Sequence, residues 1–281
     1  MGLANRIAGV VILYNPPAQL EENIRSYAPY LSKLLVIDNS PFEKSELRDS
    51  LIKLARVEFI FPGKNLGLAA GLNLAANMAI IQGYDWLLTM DQDSHFEENG
   101  FLEFSKKMNA HRDAGILSPR HVLGNESIKS TKTEWESVPV VMTSGNLLNL
   151  SVFSRVGPFH EPLFIDYVDH EFCFRLRKMG FLVWRNNKVI LMHSLGELRE
   201  ERRLGLTFRP TNHSPLRRYY MTRNRLYVMF HYKRVLIPEL FALTKEILKF
   251  VLFEKMKREK LKFIVHGVFD FLRKKYGPFG S

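Results

Sequence analysis

The amino-acid sequence predicts an α/β fold in which helices flank a mixed, mostly parallel sheet. Over residues 1–95, short apolar runs alternate with segments of helical spacing in the order β-α-β-α-β-α-β. Three of these runs end in polar residues, within the segments VILYN, VIDNS and LLTMDQDS. Strands buried on both faces of a parallel sheet are continuous apolar runs, and ligands bind beyond the carboxyl ends of such strands. The pattern therefore predicts a nucleotide-binding sheet.

Apolar runs and helical spacing place the elements along the chain. The predicted strands of the first half are residues 7–13, 34–37, 57–60 and 86–90. Helices are predicted in residues 16–32, in residues 43–56 and after residue 65. In the second half, strands are predicted at residues 115–119, 138–142, 183–184 and 189–192, with loops at residues 121–137 and 159–164. A further helix begins near Val168 and ends at Gly180.

Two acidic residues follow the strand at residues 86–90. Asp91 and Asp93 stand at i and i+2, so their side chains share one side of an extended strand. Two such carboxylates can bind one hard cation that bridges the protein to a diphosphate, or a hydroxyl-bearing ligand. The alternative is a polar turn in which Ser94 caps a helix.

Asp38 ends the second strand and can accept a hydrogen bond from a base or ribose, although Asp-Asn-Ser-Pro also forms turns. The segment from Asn65 to Asn73, which includes Gly67, is rich in small residues that allow close backbone approach, and a helix beginning there suits an anion. Packing of that helix on the sheet explains the same small residues. The segment is neither a dinucleotide-binding motif nor a Walker A loop.

Asp169 and His193 are the remaining candidate site residues before the C-terminal third. Asp169 falls in the first turn of the helix predicted from Val168. Several acidic residues crowd the start of this helix, more than are needed to cap it, so we take Asp169 as a candidate general base. The alternative is compensation of the helix dipole by the carboxylate. His193 follows the last predicted strand, and a metal or phosphate role competes there with a structural hydrogen bond.

The basic charge is concentrated at the C-terminal end. The net charge is +11, and residues 195–281 hold 20 Lys and Arg against 8 Asp and Glu. Such an excess suits anionic lipid, nucleic acid or an acidic ligand. No zinc-finger spacing or RNA-recognition motif is present, which argues against nucleic acid. The one cysteine, Cys173, excludes an internal disulfide and suits a reducing compartment.

The motifs together resemble family 2 glycosyltransferases of the GT-A fold over roughly residues 5–200. The segments that carry the resemblance are VILYN, VIDNS, NLGLAAGLN, DQDS, TSGN, DYVDHEFCFRLRKMG and HSLGE. DQDS, FIDYVDHEFCFR and RRYYMTRNRLY resemble bacterial rhamnosyltransferases of polysaccharide and O-antigen assembly. The resemblance implies a catalytic domain at residues 1–205, with a nucleotide-sugar half to about residue 95 and an acceptor half after it, and a basic helical region at residues 206–281.

The resemblance also implies roles for residues at the donor site. Asp38 contacts the base, and the nucleoside is held by the backbone of Tyr14 and Asn15 and by the segment with Asn65, Gly67 and Asn73. Asp91 and Asp93 match the metal-binding D-x-D, with Asp93 the direct ligand of Mg²⁺ or Mn²⁺, and His193 completes the metal or diphosphate site. Independently of the resemblance, the arginines and tyrosines of residues 215–227 suggest that one arginine reaches the diphosphate, and Arg223 is the candidate. A solvated basic face is the commoner explanation.

Asp169 matches the catalytic aspartate of the family, six residues before Arg175. This chain has Val168 where many members have Glu, and Glu171 where many have a second Asp. The resemblance implies an inverting transfer, in which a base deprotonates the acceptor hydroxyl and a cation stabilises the leaving nucleoside diphosphate. The implied donor is dTDP-β-L-rhamnose, which gives an α-linked product, and the implied acceptor is a glycan or a lipid-linked sugar.

Three other functions are compatible with parts of the sequence. The same fold serves donors such as UDP-glucose. A nucleotidyltransferase needs a Gly-rich loop with Lys or Arg after the first strand, and Tyr14-Asn15-Pro16-Pro17 is not one. A basic membrane-associated scaffold with a vestigial nucleotide fold would not need Asp38, Asp91, Asp93 and Asp169.

Two apolar stripes lie in the basic C-terminal region. The first contains Leu240, Leu243, Ile247, Phe250 and Val251, and the second contains Leu261, Ile264, Val265, Val268 and Leu272. Neither is a 20-residue apolar run, so neither is expected to span a bilayer. Apolar stripes flanked by Lys and Arg suit anionic lipid, which predicts a cytoplasmic enzyme peripheral on the inner membrane. The alternatives are packing on the catalytic domain and a homo-oligomer through these helices.

Overall fold

The computed structural model describes residues 6–54, 56–111, 113–123, 131–193, 201–203, 206–208 and 213–280. The chain divides into two compact units, one of residues 1–159 and 172–195 and the other of residues 160–171 and 196–281. The predicted boundary at residue 205 and the HSLGE motif beyond His193 lie outside the described residues. The segment 160–171, predicted within the catalytic domain, groups with the C-terminal helices.

The first half of the chain forms the predicted parallel strands. They are β1 (Ile7–Leu13), β2 (Lys33–Asp38), β3 (Val57–Ile60) and β4 (Trp86–Asp91), in the order β3-β2-β1-β4. The helices between them are α1 (Leu20–Arg25), α2 (Ser45–Leu51) and α3 (Gly67–Ile81). β1, β2 and β4 are buried almost throughout, as their continuous apolar runs require.

The second half extends the sheet with strands of both directions. They are β5 (Ser94–Phe96), β6 (Ala114–Leu123), β7 (Trp135–Ser137), β8 (Asn146–Asn149) and β9 (Leu182–His193). The order continues β4-β8-β6-β9-β5, with β7 beside β9. Among the described strands of this half, β6 and β9 pair in parallel and the other pairs are antiparallel. The helices are α4 (Gly100–Lys106), α5 (Leu150–Val156) and α6 (Val168–Lys178). The predicted α/β class with a mixed sheet is confirmed.

One predicted strand is wrong. Residues 138–142 form no strand, although Val138 and Val141 are buried. Two backbone carbonyls that would pair with a neighbouring strand accept hydrogen bonds from side chains instead. Arg177 Nη1 donates to Val138 O at 3.1 Å, and Asn146 Nδ2 donates to Met142 O at 2.6 Å. The strands instead flank this segment, as β7, inside the predicted polar loop, and as β8.

The two short strands predicted at residues 183–184 and 189–192 are one strand, β9, with a local irregularity. Its register with β6 shifts between the pairs Pro119–Asn186 and Arg120–Ile190. The fully buried Asn186 satisfies the backbone there, because its Oδ1 accepts from Lys188 N at 2.9 Å and Val189 N at 3.0 Å.

Small residues at the start of α3 have two structural reasons. Gly67 has a φ of +81°, which favours glycine. A Cβ on Gly71 would lie 2.8 Å from Ile12 Cδ1, so α3 packs closely on β1. The helix-packing explanation of this segment therefore holds for Gly71.

The described part of the C-terminal unit forms three long helices. They are α7 (Pro215–His231), α8 (Leu236–Phe253) and α9 (Lys257–Leu272), preceded by the antiparallel pair β10 (Glu201–Arg203) and β11 (Leu206–Phe208). Ser214 caps α7, with Oγ accepting from Arg217 N at 3.2 Å. α9 approaches α7 closely, since a Cβ on Gly267 would lie 2.7 Å from Tyr219 O. Among the described residues, no helix has the length and apolar character needed to cross a membrane.

Candidate functional site

The carboxyl ends of three neighbouring strands place the predicted donor-site residues on one edge of the sheet. In the parallel register, Leu13 at the end of β1 pairs with Asp38 of β2, and Ile12 pairs with Asp91 of β4. Asp38 and Asp91 therefore stand two strands apart, about 10 Å at ordinary strand spacing. The loop that begins at Tyr14 leaves the sheet between them.

Polar side chains tie this loop to both neighbouring strand ends. Asn15, with a φ of +46°, donates its backbone N–H to Ser40 Oγ at 2.9 Å. Tyr14 N donates to Gln92 Oε1 at 2.8 Å, and Gln92 Nε2 donates to Tyr14 O at 3.1 Å. The backbone of Tyr14 and Asn15 is therefore fixed before any ligand arrives.

Asp38 presents an unsatisfied carboxylate oxygen at this edge. Its side chain is buried; Oδ1 accepts from Ser40 N at 2.9 Å, whereas Oδ2 has no hydrogen-bond partner among the described residues. A buried polar atom without a partner is costly, and a ligand that donates an N–H or O–H would remove that cost.

The start of α3 is connected to the end of β2 through side-chain amides. Asn39 Oδ1 accepts from Leu66 N at 3.2 Å, and its Nδ2 donates to Gly67 O at 3.3 Å. Asn65 Oδ1 accepts from Gly67 N at 2.8 Å. These contacts hold Asn65 and Gly67 near the end of β2, beside the buried Asp38.

Asp91, Asp93 and His193 form a group with suitable geometry for a metal ion. One ligand atom from each lies within 4.8 Å of the others. Asp91 ends β4, Asp93 lies in the turn to β5, and β5 pairs with β9 so that Ser94 lies opposite His193. Two carboxylates and an imidazole are ligands that Mn²⁺ accepts, and the carboxylates also suit Mg²⁺.

The hydroxyls of Ser94 and Ser144 contact the group formed by Asp91, Asp93 and His193. His193 Nδ1 lies 2.6 Å from Ser94 Oγ and 3.4 Å from Asp93 Oδ1. Asp91 N donates to Ser144 Oγ at 3.0 Å. Sequence reasoning did not assign these roles to Ser94 and Ser144. The contacts join residues 99 and 53 positions apart, and no local pattern signals them.

A pocket of about 440 Å³ lies beside Ser144 in the same unit. Its lining includes Arg120, Met142 and Arg185, together with His121. His121 Nε2 lies 2.7 Å from Ser144 O, which connects the pocket wall to the residue that supports Asp91. Half of the lining is apolar, and Arg120, His121 and Arg185 supply polar groups that can bind hydroxyls.

Two predicted donor-site side chains have other roles in the structure. The buried amide of Asn73 donates to Phe159 O at 2.9 Å and accepts from Phe159 N at 2.8 Å. Arg223 is fully buried, and its guanidinium donates to Gly277 O at 2.8 Å and to Pro162 O and Leu163 O, both at 3.2 Å. Because those contacts fix the guanidinium inside the helical unit, the prediction that Arg223 reaches the diphosphate is corrected.

Asp169 lies in the first turn of α6, in the unit that contains the C-terminal helices. Its Oδ1 accepts from His170 N at 2.8 Å and lies 2.9 Å from His170 Nδ1. The side chain of Asp169 remains 21% exposed. Sequence reasoning missed this pair, because adjacent residues do not face each other across the surface of a regular helix.

The two side chains shift each other's protonation. Burial raises the pKa of Asp169, but the charge and hydrogen bonds of His170 outweigh burial and hold that pKa below its ordinary value. Burial lowers the pKa of His170, but Asp169 outweighs burial and raises it. Asp169 is therefore a carboxylate at neutral pH and can accept a proton.

Comparisons with known proteins agree with this arrangement. The model of glycosyl transferase family 2 matches residues 10–170, which is more than half of the chain. The chain therefore belongs to glycosyl transferase family 2. It is 28% identical over 242 residues to the dTDP-rhamnosyl transferase RfbF of Shigella flexneri, covering 78% of each protein.

Solved structures share the fold. The S. aureus TarS 1–349 in complex with UDP-GlcNAc matches with a TM-score of 0.60 at 13% identity, covering 95% of this chain and 81% of that one. GalNAc-T7 with UDP, GalNAc and Mn²⁺ matches with a TM-score of 0.59 at 14% identity, over 80% of this chain and 48% of that one. The chain thus spans about half the length of GalNAc-T7. The GT-A type fold implied by the motifs is confirmed.

The ion pair at Asp169 can be measured by an NMR titration of His170. In the unchanged protein, His170 should titrate above the ordinary value of 6.5, because Asp169 and, less strongly, Glu239 stabilise the imidazolium. Asp169→Asn should lower the pKa of His170, since burial and the charge of Arg225 then act against Glu239 alone. Asp270→Asn removes a carboxylate that bonds Tyr219 instead and serves as the control. An unchanged His170 titration in Asp169→Asn would contradict the pair.

Proposed function

We propose that this protein is an inverting rhamnosyltransferase of bacterial cell-surface polysaccharide synthesis, such as O-antigen assembly. It would move L-rhamnose from dTDP-β-L-rhamnose to a hydroxyl of a glycan or a lipid-linked acceptor. The observation that carries the proposal is the group Asp91, Asp93 and His193, placed two strands from the unsatisfied oxygen of Asp38. The similarity to the dTDP-rhamnosyl transferase RfbF supports the choice of donor.

The residues at the sheet edge would bind the two ends of the donor. Asp38 Oδ2 would accept a hydrogen bond from the base, while the fixed backbone of Tyr14 and Asn15 and the start of α3 at Asn65 and Gly67 hold the nucleoside. Asp93, Asp91 and His193 would bind Mg²⁺ or Mn²⁺. That cation, when bound, neutralises the charge that develops on the departing diphosphate.

Asp169 would be the general base. Its carboxylate takes the proton of the acceptor hydroxyl while the acceptor oxygen attacks the anomeric carbon of the sugar. The bond from that carbon to the β-phosphate oxygen breaks, dTDP leaves with the electron pair, and the configuration inverts. The transition state is oxocarbenium-like, as in other glycosyl chemistry. The pocket beside Ser144 is a candidate place for the acceptor.

A UDP-sugar donor is the second candidate. The TarS structure with the same fold was solved with UDP-GlcNAc. Base and sugar recognition therefore have to be tested separately from metal binding.

A thermal-shift matrix varies the donor and the metal independently. A ligand that binds only the folded state at 100 times its Kd stabilises it by about 2.7 kcal/mol. We expect dTDP-rhamnose to raise the Tm strongly with Mn²⁺ and weakly in EDTA. In Asp93→Ala the Mn²⁺-dependent part should disappear, because a metal ligand is lost.

Asp49→Ala is the matched control, since Asp49 is an exposed carboxylate on α2. It should keep the full shift. Stabilisation by UDP-glucose or UDP-GlcNAc but not by dTDP-rhamnose would contradict the donor and leave the family assignment intact. If the donor raised the Tm fully in EDTA and the enzyme kept its transfer activity there, the proposed metal dependence would be contradicted.

A second variant tests the base. Asp169→Asn keeps the size of the side chain and removes its ability to take a proton, so kcat should fall by about 10²-fold or more. The KM for the donor should change little. Glu171→Gln, in the same helical turn, should retain turnover; normal turnover of Asp169→Asn with loss in Glu171→Gln would exchange the two roles.

We further propose that the C-terminal helices place the enzyme on the cytoplasmic face of the inner membrane. Exposed apolar side chains form one stripe on α8 and one on α9; they are Ile237, Leu240, Phe241 and Ile247, then Leu261, Val265, Phe269 and Leu272. Exposed basic residues accompany them, including Arg258, Lys262 and Arg273. Each basic residue near an anionic membrane surface contributes about 1 kcal/mol to the free energy of membrane binding.

Co-sedimentation with acidic phospholipid vesicles tests the membrane role. Phe241 and Phe269 are 65% and 53% exposed, so Phe241→Glu with Phe269→Glu should lower vesicle binding without disturbing the core. Phe42→Glu is the control, because Phe42 is 83% exposed in a loop of the other unit. Failure of the full chain to bind acidic vesicles at low salt would remove the membrane role, and concentration-dependent dimers would assign the stripes to a homo-oligomer.

A further inference from the structure

The segment that leads into α6 has an unfavourable backbone conformation. Phe164 has φ +67° and ψ −66°, the centre of a γ-turn closed by Ile165 N donating to Leu163 O at 2.8 Å. Asp166 and Tyr167 follow with φ values of +61° and +63°. Residues with a Cβ rarely adopt such angles, and a γ-turn of this hand is strained. Three such residues in four positions need support from outside the segment.

That support comes from α7. Asn224 is fully buried, and its Nδ2 donates to the carbonyls of Leu163 and Ile165 at 2.8 Å and of Asp166 at 2.9 Å. A side-chain amide has two hydrogens, so these three carbonyls share them. Asn224 Oδ1 accepts from Arg223 Nε at 3.0 Å, which fixes the direction of the amide.

The preceding residue on α7 extends the same contact. The guanidinium of Arg223 donates to Pro162 O and Leu163 O at 3.2 Å, and to Gly277 O at 2.8 Å. Its carbon also lies 5.1 Å from the centroid of the Tyr219 ring. Carbonyls of the strained segment thus receive donors from two adjacent, fully buried side chains.

Two more side chains reach the first turn of α6. Arg225 Nε donates to the Tyr167 hydroxyl, which also donates to Glu239 Oε2 at 3.0 Å. Tyr232 OH donates to Glu171 Oε1 at 2.8 Å. Tyr167 O accepts the first helical hydrogen bond, from Glu171 N at 2.9 Å, and the Tyr167 ring lies 4.8 Å from that of His170.

We propose that α7 is a positioning element for the transfer reaction. Arg223, Asn224 and Arg225 hold residues 163–167 in their strained conformation, and Tyr232, directly after α7, holds Glu171 in the first turn of α6. These four anchor residues thereby set the direction in which the Asp169 side chain projects from α6. The proposal rests on the proposed function, because it takes Asp169 as the base. It assigns a purpose to the RRYYMTRNRLY segment, which the donor site does not use.

The chemistry of the contact argues for positioning over packing alone. Two helical segments that only pack together bury apolar side chains, which cost less to desolvate. Here buried polar groups are directed at the backbone of one segment, where they fix its dihedral angles. General base catalysis depends on such placement, since an error of about 1 Å can cost 10²-fold in rate.

The test compares variants that destabilise the same unit in different places. Asn224→Asp keeps the shape and removes both amide hydrogens, so three carbonyls then face a carboxylate. We expect kcat to fall by roughly tenfold or more, with the donor KM within about twofold. Amides of residues 164–171 should exchange hydrogen faster than in the unchanged protein.

Lys260→Met is the matched control. Lys260 is buried on α9 and donates to Glu254 at 2.7 Å, so its loss should lower the Tm of the helical unit without touching residues 160–171. Positioning predicts that this variant keeps its kcat. If Asn224 had a purely structural role, Asn224→Asp and Lys260→Met would lose equal kcat at equal losses of Tm. That result would overturn the proposal.

Tyr167→Phe covers the case in which Asn224→Asp does not fold. It retains the ring and removes only the hydroxyl that Arg225 and Glu239 hold, so kcat should fall while the Tm changes little. Unchanged kcat in Tyr167→Phe, or in a folded Asn224→Asp, would overturn the proposal. If Asp169→Asn kept its full kcat, the assignment of Asp169 as the base would have failed. If kcat were low in Asp169→Asn but unchanged in Asn224→Asp and Tyr167→Phe, only the positioning role would have failed.

Discussion

The parallel register of β1 with its two neighbours is the constraint on which the candidate site depends. Leu13 pairs with Asp38 and Ile12 with Asp91, so three strands end at one edge of the sheet. A slip of one residue would turn the side chains of a strand to its other face and separate these groups. The loop at Tyr14 is bonded to both neighbouring strand ends, so the ends of β2 and β4 that carry Asp38 and Asp91 are fixed together.

Buried asparagines form hydrogen bonds with irregular backbone at several places in this chain. Asn39 connects the end of β2 to α3, Asn73 holds the backbone of Phe159, and Asn186 satisfies the irregularity of β9. Asn224 does so for the segment before α6. An amide both donates and accepts, so it can satisfy irregular backbone that has no strand or helix partner. These irregular segments thereby gain definite conformations without regular secondary structure.

The sequence predicted regular elements better than side-chain partners. Continuous apolar runs located β1, β2 and β4, because a strand buried on both faces is apolar along its whole length whatever its neighbours are. The strand predicted at residues 138–142 does not form, because Arg177 and Asn146 donate hydrogen bonds to backbone carbonyls of this segment. Arg223 was placed at the diphosphate from local composition, whereas the fold buries it completely. Burial of a charged side chain depends on carbonyls that come from elsewhere in the chain.

By itself, the sequence determined the α/β class, the parallel half of the sheet and the acidic ends of its strands. Those features follow from local hydrophobic pattern and strand geometry. The family resemblance grouped His193 with Asp91 and Asp93, and the tertiary structure supplied the reason, which is the pairing of β5 with β9. Only the tertiary structure joined α7 to the segment before Asp169. Such contacts join residues about 60 or more positions apart, and their energy appears only when the whole unit has folded.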